Sequence, residues 1–308
     1  MALWIPKRLV ETSLINTAAE NTHSFVTHCE IEYESRVVAA AHEIVAQKKQ
    51  IIMLTGPSSS GKTTTAHKLA QTLNAEGHTA VVVSLDNFFK NIDEYPRLPD
   101  GSKDYENVTA LDVKSINTCL NTLLEQGTAE FPEFDFLTET RKKETITVTL
   151  PENGVCIVEG IHALNPQLTQ MVRPEKVFKI YAGLREEYSF KGQRILPTRD
   201  IRLARRMVRD YKFRGHSLEK TIGMWPLVCE GEDKYIKVFK PEADLLLDTS
   251  FSYEICVLAP FVESLSEVLP ADSAYKPLLD DLIQRFSLCA PISADLIPKN
   301  SMLREFIG

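Results

Sequence analysis

The stretch GPSSSGKTTT, residues 56–65, follows the apolar run IIMLT and opens the helix-forming segment KTTTAHKLAQTLNAEG. No other feature restricts the fold as tightly. Gly56, Gly61, Lys62 and Thr63 match G-x-x-x-x-G-K-[ST], a spacing that functions only between a buried strand and a helix N-terminus. The glycines let the backbone turn its N–H groups inward around phosphates, and the helix N-terminus adds partial positive charge. Lys62 then reaches the β- and γ-phosphates and Thr63 ligates Mg²⁺, while Ser58, Ser59, Ser60 and Thr64 complete a cradle for ATP or GTP. The plainer alternative, a glycine-rich turn carrying a surface lysine, leaves the strand and helix on either side unexplained.

The flanking pattern predicts an α/β fold. IIMLT and TAVVVSLD read as buried strands on either side of a helix closed by Gly77, a βαβ unit of about 35 residues that implies parallel strands. GVCIVEG, KVFKIYAGL and EADLLLDTS are further strands; LDVKSINTCLNTLLEQG is a helix, and NPQLTQMV is helix-like. PEFDFLTETRKKETITVTL alternates on both sides of a charged turn, as an antiparallel hairpin does. Residues 87–110 read as a long loop, a length that usually serves function or stays disordered. The first 30 residues show no clear period and read as a loosely packed arm before the helical YESRVVAAAHEIVAQKK. Near the C-terminus, PLLDDLIQRFSLC carries an apolar stripe suited to a core or to a dimer contact. The expectation is a doubly wound, mostly parallel α/β P-loop NTPase with a β-hairpin insert and a basic helical lid. Residues 1–47 would form an arm and helix, and 48–308 the P-loop domain with a C-terminal helical extension.

Composition narrows the partners. With 35 Lys+Arg against 42 Asp+Glu the net charge is −7, which speaks against nucleic acid, whose backbone is held by excess cations. Six scattered cysteines, without a CxxC pair, read as reduced thiols of a cytoplasmic protein. The start MALWIPKRLVETS lacks a signal-peptide core, and no run reaches the length of a membrane span. A small-molecule substrate is expected, with homo-oligomerisation open.

Two carboxylates stand where phosphoryl transfer needs them. VVVSLDNFFK delivers Asp86 from the end of a strand expected beside the cradle strand, at the crevice where α/β sheets bind ligands. A carboxylate there accepts a substrate hydroxyl proton or shares the metal; otherwise it caps a turn. CIVEG ends in a single acidic residue, Glu159, and no N-K-x-D guanine-reading stretch occurs. His162 and Trp225 read as structural residues.

In order, GPSSSGKTTT, VVVSLDNFFK, DFLTETRK, CIVEGIHAL and DIRLARRMVRDYKFRG resemble the uridine kinase and phosphoribulokinase family of P-loop kinases, over roughly residues 50–250. GMWPLVCEGEDKYI and IPKNSMLREFIG resemble a bacterial subgroup of uridine kinase-like nucleoside kinases. The resemblance implies Asp86 as catalytic base and Glu159 with Thr63, and Asp86 nearby, as the Mg²⁺ site. It implies a lid helix whose Arg202, Arg205, Arg206 and Arg209 share one face toward the phosphates, Arg205 and Arg209 foremost. It places Asp112, Phe134, Glu139 and Arg141 at the acceptor. The family implies a nucleoside acceptor, uridine or cytidine first, but Phe134 and Glu139 depart from its phenol and histidine, and DYENVTALD lacks its His-Pro, so these contacts to the base differ from the family pattern. A sugar phosphate or other small alcohol stays open, as does a nucleotide-binding regulatory protein.

Overall fold

The computed structural model describes residues 6–98, 100–136 and 138–308. The central sheet is built from β2 (Ile51–Thr55), β3 (Ala80–Ser84), β6 (Val155–Glu159), β7 (Val177–Gly183) and β10 (Leu245–Asp248) in the order β10-β7-β2-β6-β3, all parallel. Alternation along β2 divides the interior into two layers. Ile52 and Leu54 join one core with helices α2 (Thr22–Ala46), α3 (Lys62–Ala75), α5 (Thr198–Phe213) and α7 (Glu254–Ser264), while Ile51 and Met53 join the other with α4 (Val113–Gln126). The predicted doubly wound α/β sheet is therefore present. The strand that leads to Asp86 does not adjoin the cradle strand, however: β6, the Glu159 strand, lies between them.

The hairpin forms from β4 (Thr128–Asp135) and β5 (Thr140–Thr149), with a register shift between Pro132 and Phe134. Instead of a loose arm, the structure has β1 (Arg8–Glu11), α1 (Thr12–Ala19) and the 25-residue α2. Val26, Cys29, Tyr33, Val37, Ala40, Ala41 and Ile44 form its buried stripe, so the helical period begins well before residue 33. Tyr33 buries its ring fully and its hydroxyl lies 2.8 Å from Thr65 Oγ1, tying α2 to the first turns of α3.

A second sheet, in the order β1-β8-β9, was not expected from the sequence. It joins β1, in parallel, to β8 (Glu186–Phe190), which pairs antiparallel with β9 (Gln193–Leu196). Glu186 and Glu187 are buried in β8 because Arg8 (2.7 Å) and Lys7 (2.5 Å) reach them from across the chain. Helices α6 (Leu218–Gly231), α8 (Lys276–Phe286) and the short α9 (Arg304–Ile307) complete the elements used below. All six cysteines are free, and among the described residues no helix is long and apolar enough to cross a membrane.

Candidate active site

Residues 56–61 turn between β2 and α3 with two left-handed backbone positions, Ser59 (φ 58°) and Gly61 (φ 80°). A non-glycine residue held there is strained, a feature that clusters at ligand-binding loops. Gly56 cannot be larger: a Cβ on it would lie 2.3 Å from the Ala182 carbonyl oxygen. Ser59 and Ser60 are buried, and their hydroxyls have no partner within the protein. The Thr63 hydroxyl donates to Glu159 Oε2 (3.1 Å), and Ser84 donates to Glu159 Oε1 (2.9 Å). Glu159 is buried and accepts from both hydroxyls.

Asp86 lies in a one-turn 3₁₀ segment, Leu85–Phe88, directly after β3. Ser84, not Asp86, supplies the cap, since its hydroxyl accepts from the Asp86 N–H (3.3 Å). Asp86 is exposed by surface area, although protein atoms surround it densely. That enclosure, with the Glu159 charge, pushes its pKa up to about 6, against the pull of Lys62 and Arg214. Glu106 belongs to the same cluster. Burial raises its pKa, while Arg206 and Lys62 oppose the rise. No cluster of three or more metal-ligating side chains occurs among the described residues. Mg²⁺ is usually held by one or two carboxylates together with substrate phosphates, so Thr63, Glu159 and Asp86 suffice, and the orphaned serine hydroxyls suit a phosphate-filled cradle.

The arginines of α5 divide differently from the expectation. Arg205 is fully buried, paired with Glu254 (2.6 Å), and donates to the carbonyls of Ser59 (3.3 Å) and Thr249 (3.2 Å). Arg202 pairs with Glu232, donates to Ser58 O (3.0 Å) and lies over the Trp225 ring, 5.4 Å from its centroid. These two hold the loop from behind. Because a peptide is planar and trans, pulling the Ser58 carbonyl toward α5 turns the Ser59 N–H away from it. Arg209 turns to Asp210 (2.7 Å) and, more distantly, Glu305 (3.9 Å). The expected pair Arg205 and Arg209 is thus engaged elsewhere, because helix α5 packs as core against α7 and α9. Arg206, bound to Ser58 Oγ (2.8 Å), and Arg214 also pair with Asp210 (3.3 and 3.7 Å), but they act in addition on Glu106 and Asp86 respectively.

The acceptor expectations shift in the same way. Asp112 caps α4 through the Ser115 N–H (3.0 Å) and accepts from Arg141 (3.1 Å). Burial opposes the effect, but Ser115 and Arg141 together hold Asp112 below the usual carboxylate range. Arg141 also donates to the carbonyls of Phe88 (3.2 Å) and Phe89 (3.4 Å), clamping the hairpin to the loop after β3. Phe134 is buried against Phe89 and Phe136, at centroid distances of 5.8 and 5.1 Å. Glu139 is exposed in the hairpin turn (φ 53°) and acts on Tyr95, whose pKa rises to about 12 mainly through burial, with Tyr105, Glu139 and Asp86 adding to it. Asp112, Phe134 and Arg141 are therefore engaged within the protein, while Glu139 and Tyr105 both act on Tyr95. Tyr95 had no motif to announce it, whereas Glu106 lies in DYENVTALD, the stretch that departs from the family's pattern. Only the folding of loop 87–110 onto α6 brings them in, where Glu106 also lines a cavity of about 330 Å³ with Tyr105, Met224, Leu227 and Tyr235. His162 is buried with its ring 6.3 Å from that of Tyr235, and burial lowers its pKa to about 4.

A family model described as the Phosphoribulokinase / Uridine kinase family matches residues 51–252. The chain is 29% identical over 212 residues to a protein named uridine kinase from Lactobacillus helveticus, covering 68% of this chain and 92% of that one. It is also 29% identical over 225 residues to a uridine kinase from Macrococcus caseolyticus, covering 72% and 99%. Among solved structures, a possible uridine kinase from Bacillus stearothermophilus aligns at 22% identity with a TM-score of 0.45, covering 70% of this chain and 100% of that one.

Proposed function

Given that this chain belongs to the phosphoribulokinase and uridine kinase family, a phosphotransferase with an alcohol acceptor, we propose that it transfers the γ-phosphoryl group of ATP to the primary hydroxyl of a nucleoside, uridine or cytidine foremost. The observation that carries this reading is a cluster in which Asp86 lies near Glu159 and under the pull of Lys62 and Arg214. Glu106 joins it under the pull of Arg206 and Lys62, and Asp86 and Glu139 both act on Tyr95. Carboxylates accept hydrogen bonds from sugar hydroxyls and repel a phosphate. Of the cations that a sugar phosphate could use, Arg141 is already paired with Asp112 (3.1 Å) and Lys142 with Glu133 (3.5 Å). The names of the relatives support the same acceptor.

In this reading the cradle amides, Lys62 and the freed serine hydroxyls hold the phosphate chain. Asp86 accepts the proton of the attacking hydroxyl as its oxygen bonds the γ-phosphorus, the bond from the γ-phosphorus to the β–γ bridging oxygen breaks, and ADP leaves. Thr63 and Glu159, with Asp86 close by, would hold Mg²⁺, which supplies neutralisation of the phosphate charge when bound. Lys62 and Arg206 stabilise the charge that grows on the transferring group. Glu106 is the group placed to accept from an acceptor hydroxyl. The test is ADP release against a panel of nucleosides and sugar phosphates, with Lys62→Ala as control. Turnover on nucleosides that falls more than a hundredfold in the control supports the reading. Preference for a sugar phosphate shifts it to a phosphoribulokinase-like activity, and nucleotide binding without turnover on any acceptor shifts it to a regulatory protein.

A further inference from the structure

The first turn of α3 is where phosphates meet the protein, and its hydroxyls are not equivalent. Thr63 donates to Glu159, but the Thr64 hydroxyl donates to Glu305 Oε2 at 2.6 Å. Glu305 comes from α9, more than 240 residues along the chain. The segment that carries it is built into the protein. Met302, Leu303 and Phe306 are completely buried. Met302 packs on the cradle itself, since a Cβ on Gly61 would lie 2.4 Å from its Sδ. The Phe306 ring lies 4.9 Å from the Arg205 guanidinium that holds Ser59 O, and the Ile307 carbonyl accepts from Lys212 (2.6 Å). Arg304 donates to the carbonyls of Ala294 (2.9 Å) and Pro298 (3.3 Å).

A carboxylate is thereby held against the helix N-terminus that attracts anions. Its nearest cation, Arg209, is 3.9 Å away and shared with Asp210 at 2.7 Å, and the Glu305 side chain keeps 23% of its surface open. The charge of Glu305 is therefore only partly neutralised, and it occupies the hydroxyl that a phosphate chain in the cradle would use. We propose that residues 298–308 are a working part of the donor site, and that Glu305 is a resident anion that competes with the incoming phosphates for Thr64 and weakens donor binding. Donor affinity is then set by a segment outside the nucleotide-binding motif. This rests on the donor reading above.

The experiment is calorimetry on the full-length chain with a non-hydrolysable triphosphate analogue and magnesium, comparing wild type with Glu305→Gln and Glu305→Ala. Removing the charge is expected to tighten binding about three- to tenfold at low salt, by the Coulomb energy of a unit charge at partly screened contact range. The gain should shrink as salt is raised past the point where the Debye length is about 3 Å, near 1 M. Both variants should gain, because the charge and not the side-chain shape is responsible; should one fail to fold, the other decides. A role confined to bracing the loop predicts the opposite sign. Unchanged or weaker binding in a folded variant, with wild type binding normally, overturns the inference while leaving the donor assignment intact. Absence of binding by wild type overturns the donor assignment and this inference with it.

Discussion

Asp86 carries the most specific expectations at the scale of single residues. Asp86→Asn keeps size and hydrogen-bonding shape but removes the proton acceptor, so turnover is expected to fall by about 10²–10⁴. Donor affinity, read by calorimetry, should move by less than about 1 kcal/mol, since cradle amides and Lys62 supply most of it. Equal losses in rate and donor binding would reassign Asp86 to the metal–nucleotide complex. Its raised pKa adds two pH signatures. As a base it must be ionised, so kcat/KM of wild type should rise with pH through about 6. For stability the sign is reversed. The folded state holds the Asp86 proton more tightly than the unfolded chain, where the group titrates near 3.8, so the stabilisation present below that pH is lost as pH rises through about 6. Asp86→Asn should therefore melt above wild type at pH 8 and match it near pH 3, in thermal unfolding at the two pH values. A variant that melts below wild type at pH 8 would contradict an enclosed carboxylate.

Among elements, α5 shows why a basic helix is hard to interpret from its letters. Five arginines at residues 202–214 suggest one cationic lid, yet packing assigns them to three tasks. Arg202 and Arg205 brace the loop, Arg209 turns to Asp210 and Glu305, and Arg206 and Arg214, besides pairing with Asp210, act on Glu106 and Asp86. Arg205→Met should cost about 3–5 kcal/mol in denaturant unfolding, because it leaves the buried Glu254 without its partner. Combining it with Glu254→Leu should recover most of that loss, as apolar replacements of buried pairs often do. Triphosphate binding should stay weak in the double variant, since the Ser59 carbonyl still lacks its donor. Recovery of both properties would show that Arg205 matters to the fold alone.

In the whole molecule, the cradle is held by segments far apart in sequence: α2 through Tyr33 and Thr65, α5 through its arginines, and residues 298–308 through Met302 and Glu305. Tyr33→Phe should lower unfolding stability by about 0.5–1.5 kcal/mol, the usual worth of one hydrogen bond, because Thr65 keeps its own bond to Gly61 O (2.7 Å). A loss beyond about 3 kcal/mol would mean that the hydroxyl supports more than this contact. The parallel sheet, the strand–loop–helix turn at residues 56–61 and the hairpin were legible because each depends on neighbours within a few residues: strand alternation, glycine spacing, a charged turn. The arm was misread because Thr, His and Asn surround Val26 and Cys29 and mask the stripe that continues into Tyr33. The second sheet was invisible because β8 buries Glu186 and Glu187, which read as surface residues until Lys7 and Arg8 arrive from the far end of the chain. The sequence by itself determined which residues can cradle a phosphate and accept a proton, since that chemistry is fixed by residue type and local spacing. Only the tertiary structure decided which arginines act on the acidic cluster, that Asp112 and Arg141 spend their charges on each other, and that Glu106, Tyr95 and Glu305 join the site. Those assignments follow from how desolvated charges find partners across the fold, and a partner's distance in space is not written in its distance along the chain.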